Sequence, residues 1–294
     1  MLRSIAATAT ALAAAAAGLA GTAQPASAAL GDVPADCSVF ATAYRSDGQR
    51  LSYKYGDRKT STAAIDGDRL GWVPTALAGG AESGSDDNYM SQNLVTHPTD
   101  GYLYLLTRWV KVVDGVEMVV QQSTKRLAPG FAGTRLLTSG RFPYYYRIAG
   151  NSLYRFKVVY TADKPPTIST PEKLPGDDWD TVTTLLERRT GGTPEAPIHV
   201  LLGTKTNGQL VEYQIDEASP ATITSKVLSP SGWETFTSLS TSGFCATHPD
   251  GDPLLGITAE GSASVYFDAN STDGDGADIK GGTLGDLNWT EKAY

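Results

Sequence analysis

The sequence predicts an all-β fold, because three features recur along it. Short runs of alternating apolar and polar residues are rich in Tyr, Thr and Val, which favours strands over helices. Tight Gly-containing turns follow these runs, and a large aromatic residue recurs at intervals of roughly 50 residues. A repeat of this length with four short strands is typical of a β-propeller blade. We therefore predict a five-bladed β-propeller of four-stranded antiparallel blades over residues 36–294.

Each copy of the repeat has one tight turn between two short runs. Asp-Gly and Asn-Gly pairs between alternating runs are strong hairpin signals. We interpret the run before each turn as the innermost strand of a blade, and the final residues, Trp289–Tyr294, as the last outer strand. The turns are Ser46-Asp47-Gly48, Thr99-Asp100-Gly101, Ala149-Gly150-Asn151, Thr206-Asn207-Gly208 and Pro249-Asp250-Gly251.

The recurring aromatic residues could bind a ligand or fill the core. Large aromatic side chains at one repeat position are suited to the wedge between adjacent blades, so we favour the core. These residues are Trp72, Phe131, Trp179, Trp233 and Trp289.

The N-terminal residues resemble a secretory signal peptide over residues 1–28. Arg3 gives a positive start, an Ala-rich apolar stretch follows, and Ala26-Ser27-Ala28 forms a cleavage site. Residues 29–35 would then form a short segment before the propeller, and the protein would be secreted and extracellular. The net charge of −8 disfavours nucleic acid and anionic membranes as partners.

The chain has two cysteines, Cys37 and Cys245. An exported protein reaches an oxidising compartment, where disulfides persist. In a closed ring the first and fifth blades are neighbours, and the two cysteines belong to these blades. We therefore predict a Cys37–Cys245 disulfide that locks ring closure.

No strong catalytic motif is present, and the three histidines are dispersed. The open alternative is a glycoside hydrolase, which would need two carboxylates at a set separation around the axis. Asp36, Asp87 and Glu195 are its candidates. The Asp-rich run Asp268–Asp278 is interpreted as a solvated loop, with calcium binding as the alternative. We predict no cofactor and no metal.

Ligand recognition is predicted on the variable connections between blades, because loops on a rigid scaffold commonly carry function. Tyr and Arg side chains beside Asp and Asn suit a sugar or a protein partner equally. The predicted binding residues are Asp87, Asn88, Tyr89, Arg141, Tyr144, Tyr145, Arg188 and Arg189.

Short motifs give the chain a resemblance to tachylectin-2-type five-bladed propeller lectins. They are Gly71-Trp72, Gly232-Trp233, Pro249-Asp250-Gly251, Leu103-Tyr104 and Leu153-Tyr154. The chain also resembles the secreted propeller-lectin subunits of bacterial umbrella toxin particles. These resemblances imply a non-enzymatic lectin-like module that binds cell-surface carbohydrate. The second implies two protein partners, a small adaptor and a toxin-bearing subunit. No sugar-binding residue is carried over from either family.

Overall fold

The structure is a computed structural model that describes residues 30–161, 164–286 and 292–294. The predicted signal peptide, residues 1–28, lies outside the described residues. Apart from two short 3-10 turns, Leu30–Asp32 and Trp179–Thr181, the regular structure described is β-strand, so the all-β prediction is confirmed. Among the described residues, no helix has the length and apolar character needed to cross a membrane.

The strands follow one another along the chain with short connections. They are β1 (Cys37–Tyr44), β2 (Gln49–Gly56), β3 (Lys59–Arg69), β4 (Leu77–Ser85), β5 (Asn88–Thr96), β6 (Tyr102–Val113), β7 (Val116–Pro129), β8 (Thr134–Ser139), β9 (Tyr144–Ala149), β10 (Ser152–Thr161), β11 (Lys164–Ile168), β12 (Glu172–Lys173), β13 (Val182–Thr193), β14 (Ala196–Lys205), β15 (Leu210–Asp216), β16 (Ile223–Ser229), β17 (Phe236–Ser240), β18 (Gly243–Cys245), β19 (Asp252–Thr258), β20 (Ser262–Asp268), β21 (Lys280–Asp286) and β22 (Lys292–Ala293).

Consecutive strands pair antiparallel into meanders. The first meander is β1–β3, the second β4–β7, the third β8–β12 and the fourth β13–β16; the last, β17 with β19–β21, is called the fifth. The first two meanders belong to one nine-stranded sheet, because β3 and β7 meet at a parallel bridge between Asp66 and Met118.

The first strands of successive meanders lie side by side. β4 contacts β8, β8 contacts β13, β13 contacts β17, and β17 contacts β22. The C-terminal β22 pairs in turn with β1 of the first meander. Meanders arranged around an axis by their first strands, with the chain ends paired, form the architecture of a β-propeller.

The predicted order of strands within each repeat is wrong by one position. The turns at Gly101, Gly150 and Gly208 join the second and third strands of their meanders. The turn at Gly48 joins β1 and β2, and there the C-terminal β22 is the further strand on the axial side of β1. Gly48 shows why the turn signal is strong there: its φ is 79°, and a Cβ would lie 1.8 Å from the Leu70 carbonyl oxygen.

The two ends of the ring also differ from the prediction. The segment Gly243–Cys245 pairs with β1 of the first meander and is not the inner strand of the fifth. Lys292 and Ala293 pair with the same strand on its axial edge, so the C-terminus is not an outer strand. Trp289 lies outside the described residues.

The disulfide prediction is confirmed. Cys37 is bonded to Cys245 across a sequence separation of 208 residues. The bond joins β1 to β18 at the junction between the first and last parts of the described chain. It therefore closes the ring covalently beside the β1–β22 pairing.

Apolar clusters fill most of the spaces between neighbouring meanders. Phe131, Trp179 and Trp233 are buried in three of these clusters, so their predicted core role is confirmed. Between the first and second meanders the packing is different. Two small clusters, one around Leu70 and one around Ile65, lie there, and a cleft opens beside them.

Candidate functional site

The cleft between the first and second meanders has a volume of about 840 Å³ and reaches the axis. Side chains alternate across a strand, so one face of the first meander packs on the core and the other faces the cleft. In β2, Leu51, Tyr53 and Tyr55 are buried against the fifth meander. Ser52 and Lys54 lie between them in sequence and line the cleft. Small and polar residues at these positions leave the space unfilled.

Both walls of the cleft are rich in hydrogen-bonding groups. The first meander contributes Phe40, Thr42, Arg50, Ser52, Lys54, Ser61 and Ala63. The second contributes Glu82, Tyr89, Ser91, Asn93, Arg108, Val110, Glu117 and Val119. Hydroxyl, amide and carboxylate groups beside the rings of Tyr89 and Phe40 suit a hydrophilic ligand with apolar faces.

The mouth of the cleft, defined by Glu82, Tyr89, Glu117 and Lys54, lies at the end with the β4–β5 and β6–β7 hairpins. The Tyr89 hydroxyl donates a hydrogen bond of 2.8 Å to Glu117 Oε1. Partial burial raises the pKa of Tyr89, and the Glu117 carboxylate raises it further. Tyr89 is therefore a neutral donor that is held in place by a carboxylate.

The floor of the cleft is a buried ionic group that we call the cleft network. Asp68 is fully buried and lies 2.7 Å from Arg108 Nε and 3.3 Å from Arg50 Nη1. Arg108 also donates to Asn93 Oδ1 and to the Tyr44 hydroxyl, which itself donates to Asp68 Oδ1 at 3.2 Å. These bonds tie β1, β2 and β3 to β5 and β6, so the floor joins the two meanders rigidly.

The axial end of the same cavity holds one further carboxyl group, that of Glu187 on β13. Ser139 Oγ donates to it at 3.2 Å, and Thr138 Oγ1 accepts from its backbone N–H at 3.0 Å. Burial raises the pKa of Glu187, although the Ser139 hydrogen bond lowers it. The cavity therefore has an ionic floor and, at its axial end, a carboxyl group with a raised pKa.

A second, smaller pocket of about 320 Å³ lies beside the fourth meander. Trp179, Tyr213, Val227 and Ser225 are among its lining residues. The Trp179 and Tyr213 rings lie 4.9 Å apart, and the indole N–H donates to the Pro175 carbonyl oxygen. The Trp179 ring is therefore a wall of this pocket and is itself part of the core.

The predicted residues Asp87, Asn88 and Tyr89 lie at the β4–β5 hairpin. Asp87 and Asn88 are exposed, and Tyr89 is half-buried and lines the cleft. Alternation of strand direction places this hairpin on the face opposite the Gly turns that join second and third strands. The hairpin joins two strands of one meander, so these residues do not lie on a connection between blades, where we predicted recognition.

The other predicted residues lie away from the cleft. Arg141 pairs with Glu217 at 3.0 Å. Tyr144 and Tyr145 are buried in β9, and the Tyr145 ring stacks on Phe156. The structure does not bring these three together with the β4–β5 hairpin.

Arg188 and Arg189 belong to a second buried ionic group, which we call the closed network, between the fourth and fifth meanders. Arg188 pairs with Glu212 at 3.3 Å, with Asp252 at 3.4 Å and with Asp268. Arg189 pairs with Glu212 at 2.8 Å. The Arg188 side chain is only 1% exposed, so it holds two meanders together.

The carboxylates considered for a glycoside hydrolase do not line the cleft. Asp36 accepts hydrogen bonds from the Thr247 backbone and hydroxyl, and Asp87 and Glu195 are exposed at hairpins. In the Asp-rich run, Asp268 is engaged by Arg188 and by the Asn270 backbone N–H. Within the described ranges, no group of three or more His, Cys, Asp or Glu side chains is arranged to hold a metal ion.

No family model matches the sequence, and no curated protein matches it. Solved structures similar to the chain include a mutant of AofleA from Arthrobotrys oligospora, at 13% identity and a TM-score of 0.41, covering 80% of this chain and 70% of that one. The fungal lectin of Aleuria aurantia, described as six-bladed with a fucose recognition mode, has 11% identity and a TM-score of 0.33, covering 80% and 93%. The periplasmic gluconolactonase of Pseudomonas aeruginosa has 12% identity and a TM-score of 0.32, covering 84% and 95%.

Proposed function

We propose that the protein is a carbohydrate-recognition module that binds its ligand in the cleft. The observation that carries this proposal is the cavity of about 840 Å³ lined by hydroxyl, amide and carboxylate groups. A sugar offers many hydroxyl groups beside apolar C–H faces, and the polar walls with the Tyr89 and Phe40 rings complement both. The rigid floor supports a preformed site, which reduces the entropic cost of binding.

The architecture that we infer around this site is a five-bladed propeller. Each meander would form one blade, and β22 would complete the first blade as its inner strand. Its closure by strand pairing and by a disulfide would fix the two walls of the cleft relative to each other. Secretion and a role in binding cell-surface glycans are part of the proposal. Association with an adaptor and a toxin-bearing subunit stays a prediction, and purification of the native secreted protein with its bound partners tests it.

The matched substitutions Ser61→Phe and Ser225→Phe test the site. Both serines are exposed, so neither change disturbs the core, but Ser61 lines the cleft and Ser225 lines the smaller pocket. With a glycan array followed by calorimetry, we expect Ser61→Phe to weaken glycan binding at least about 30-fold, the scale of a hot-spot residue. Ser225→Phe should bind like the parent.

Two outcomes would contradict the proposal. The absence of any glycan ligand for the parent protein would exclude carbohydrate recognition. Loss of glycan binding in Ser225→Phe with retention in Ser61→Phe would move the site to the smaller pocket.

A glycoside hydrolase is the second candidate, and one observation favours it. Glu187 has a raised pKa, as a general acid requires, and shares the cavity with Glu82 and Glu117. This set differs from the carboxylates predicted from sequence. Turnover of a glycan that binds the parent, abolished by Glu187→Gln with binding retained, would favour the hydrolase over the recognition module.

A further inference from the structure

The floor of the cleft carries an imbalance of charge. Arg50 and Arg108 are two guanidinium groups, each with a positive charge. Asp68 is the one carboxylate that pairs with them within 4 Å among the residues described. The remaining polar partners, Tyr44 and Asn93, are uncharged at neutral pH; burial even raises the pKa of the Tyr44 hydroxyl. The cleft network therefore has one positive charge in excess.

This excess is costly because the groups are largely removed from water. The Arg108 side chain is 1% exposed and that of Arg50 is 17% exposed. Burial lowers the pKa of Arg108, and the like charge of Arg50 lowers it further. A buried charge without an opposite partner destabilises a protein strongly. The uncompensated positive charge lies at a position that opens into the cleft.

Arg50 is the group through which the excess charge reaches the cavity. Its Nη1 contacts Asp68, and its Nη2 donates to Thr42 Oγ1 at 3.3 Å. Its Nε has no hydrogen-bond partner. Arg50, Ser52 and Ser91 all line the cleft. The Arg50 side chain is 17% exposed, so an anion in the cleft could lie against its guanidinium and compensate the extra charge.

The mouth has a different electrostatic character. Glu82, Glu117 and Lys54 are exposed there, so solvent and salt screen their charges. The desolvated charges of the floor act more strongly on a bound group than those of the mouth. A ligand would therefore place hydroxyl groups at the mouth and its anionic group on the floor.

We propose that the cleft binds an acidic carbohydrate, whose carboxylate or sulfate group lies against Arg50 on the floor. This inference rests on the proposed carbohydrate function of the same cleft, and it adds the chemical class of the ligand. The planar fork of a guanidinium matches carboxylate and sulfate oxygens and gives short, charge-assisted hydrogen bonds. Neutral glycans would leave the excess charge uncompensated and would bind more weakly.

The test uses the mature protein with two anionic probes, inorganic sulfate and glucuronate, and with glucose as the neutral match. Binding is measured by calorimetry and by thermal unfolding at constant ionic strength adjusted with chloride. We expect sulfate and glucuronate to bind and to raise the melting temperature, and glucose to bind at least tenfold more weakly than glucuronate. Arg50→Gln should weaken both anions at least tenfold, and Arg50→Lys should have an intermediate effect because it keeps the charge without the fork.

Arg69→Gln is the control, because it removes an exposed arginine outside the cleft, where Asp47 keeps a second partner in Arg45. It should bind both anions like the parent. The inference would be overturned if Arg50→Gln bound sulfate and glucuronate as tightly as the parent. It would also be overturned if the rise in melting temperature depended on ionic strength alone.

A glycan array separates the inference from the proposed function. Preference for sulfated or uronate-containing glycans supports both. Equal binding of neutral and acidic glycans overturns the inference and leaves the carbohydrate function standing. Binding of both anions at Arg50 with no glycan bound by the parent supports the anion site and overturns the carbohydrate function.

Discussion

The cleft network and the closed network use the same residue types in opposite proportions. In the cleft network two guanidinium groups share Asp68. In the closed network Arg188 and Arg189 meet three carboxylates, those of Glu212, Asp252 and Asp268. The first therefore has excess positive charge and the second excess negative charge. The first lines an 840 Å³ cavity, whereas no residue of the second lines it.

The pKa values of two carboxyl groups in the closed network shift in opposite directions. Burial raises the pKa of Asp268, and the neighbouring Asp278 raises it further, although Arg188 lowers it. Burial also favours protonation of Glu212, but hydrogen bonds from Arg189 and Gln214 outweigh it and lower the Glu212 pKa. A carboxylic acid can take up a proton and so relieve an acidic excess. An arginine cannot lose one, so the cationic excess in the cleft needs an anion.

The comparison shows how one kind of interface can either hold two meanders together or prepare a binding site. The interface that contains the closed network also contains an apolar cluster that includes Leu202, Leu228 and Trp233. The cleft network lies between small polar side chains such as Ser52 and Ser91. Arg189 and Asp252 of the closed network are 18% and 29% exposed, so the two networks differ in whether they line the cavity and not in whether they reach solvent.

The largest expected difference between the two networks is in the loss of stability when one carboxylate is removed from each. Asp68→Asn leaves two buried guanidinium groups without an anion and should lower the free energy of unfolding by about 3–5 kcal/mol. Asp268→Asn leaves Glu212 and Asp252 in place and should cost about 1–2 kcal/mol. Urea denaturation of both variants, followed by circular dichroism, measures the difference. Equal losses of stability would show that the charge imbalance does not affect the free energy of unfolding.

Removal of one arginine from each network is expected to change the free energy of unfolding in opposite directions. In the absence of multivalent anions, Arg50→Gln relieves the cationic excess and should leave the free energy of unfolding unchanged or raise it by about 1 kcal/mol. Arg189→Gln increases the acidic excess around Glu212 and should lower it by about 1–2 kcal/mol. The measurement is urea denaturation in chloride buffer, and the comparison fails when both variants lose stability to the same extent.

Much of the fold could be predicted from local signals. Alternating runs and Gly turns predicted the strands, and the repeat placed Cys37 and Cys245 in neighbouring meanders. The strand order within the repeat was wrong because the strongest turn signals lie between second and third strands. The first strands carry weak signals: β4 includes Gly79 and Gly80, which are poor strand formers.

The cleft was largely missed, for a physical reason. Arg50 and Asp68 belong to consecutive strands of the first meander, but Arg108 belongs to the second. The charge balance of the three therefore depends on packing between meanders that no local pattern encodes. One signal was available: Ser52 and Lys54 alternate with buried tyrosines in β2, so this strand has a polar face where a strand between two packed blades would be apolar. Tyr89 was predicted from its place in a variable segment and from its aromatic side chain.

The interface between the third and fourth meanders extends the comparison to a group that can change its charge. His199 is fully buried there; its Nδ1 lies 2.6 Å from the Tyr146 hydroxyl and its Nε2 lies 3.0 Å from Glu217 Oε2. Burial lowers the pKa of His199 below its usual value of 6.5, although the Glu217 hydrogen bond raises it in part. Arg141 contacts the same Glu217 oxygen at 3.0 Å, and its positive charge also lowers the pKa of His199.

The smallest expected effect follows from this shift. Above pH 6.5 His199 is neutral in both the folded and the unfolded chain, so it contributes no pH dependence. As pH falls below 6.5, the unfolded chain binds a proton that the folded protein resists, so stability decreases until the lowered pKa of the folded state is reached. The slope contributed by one histidine is at most about 1.4 kcal/mol per pH unit. His199→Gln should flatten the stability curve between pH 6.5 and 5, measured by urea denaturation, whereas His248→Gln removes a half-exposed histidine and should retain the slope of the parent.

Keeping the measurement above pH 5 excludes Glu217, whose contribution is lost only at lower pH because hydrogen bonds from His199 and Arg141 outweigh burial and lower its pKa. An unchanged slope in His199→Gln would mean that this interface, unlike the two arginine networks, does not distinguish the charge of its buried group.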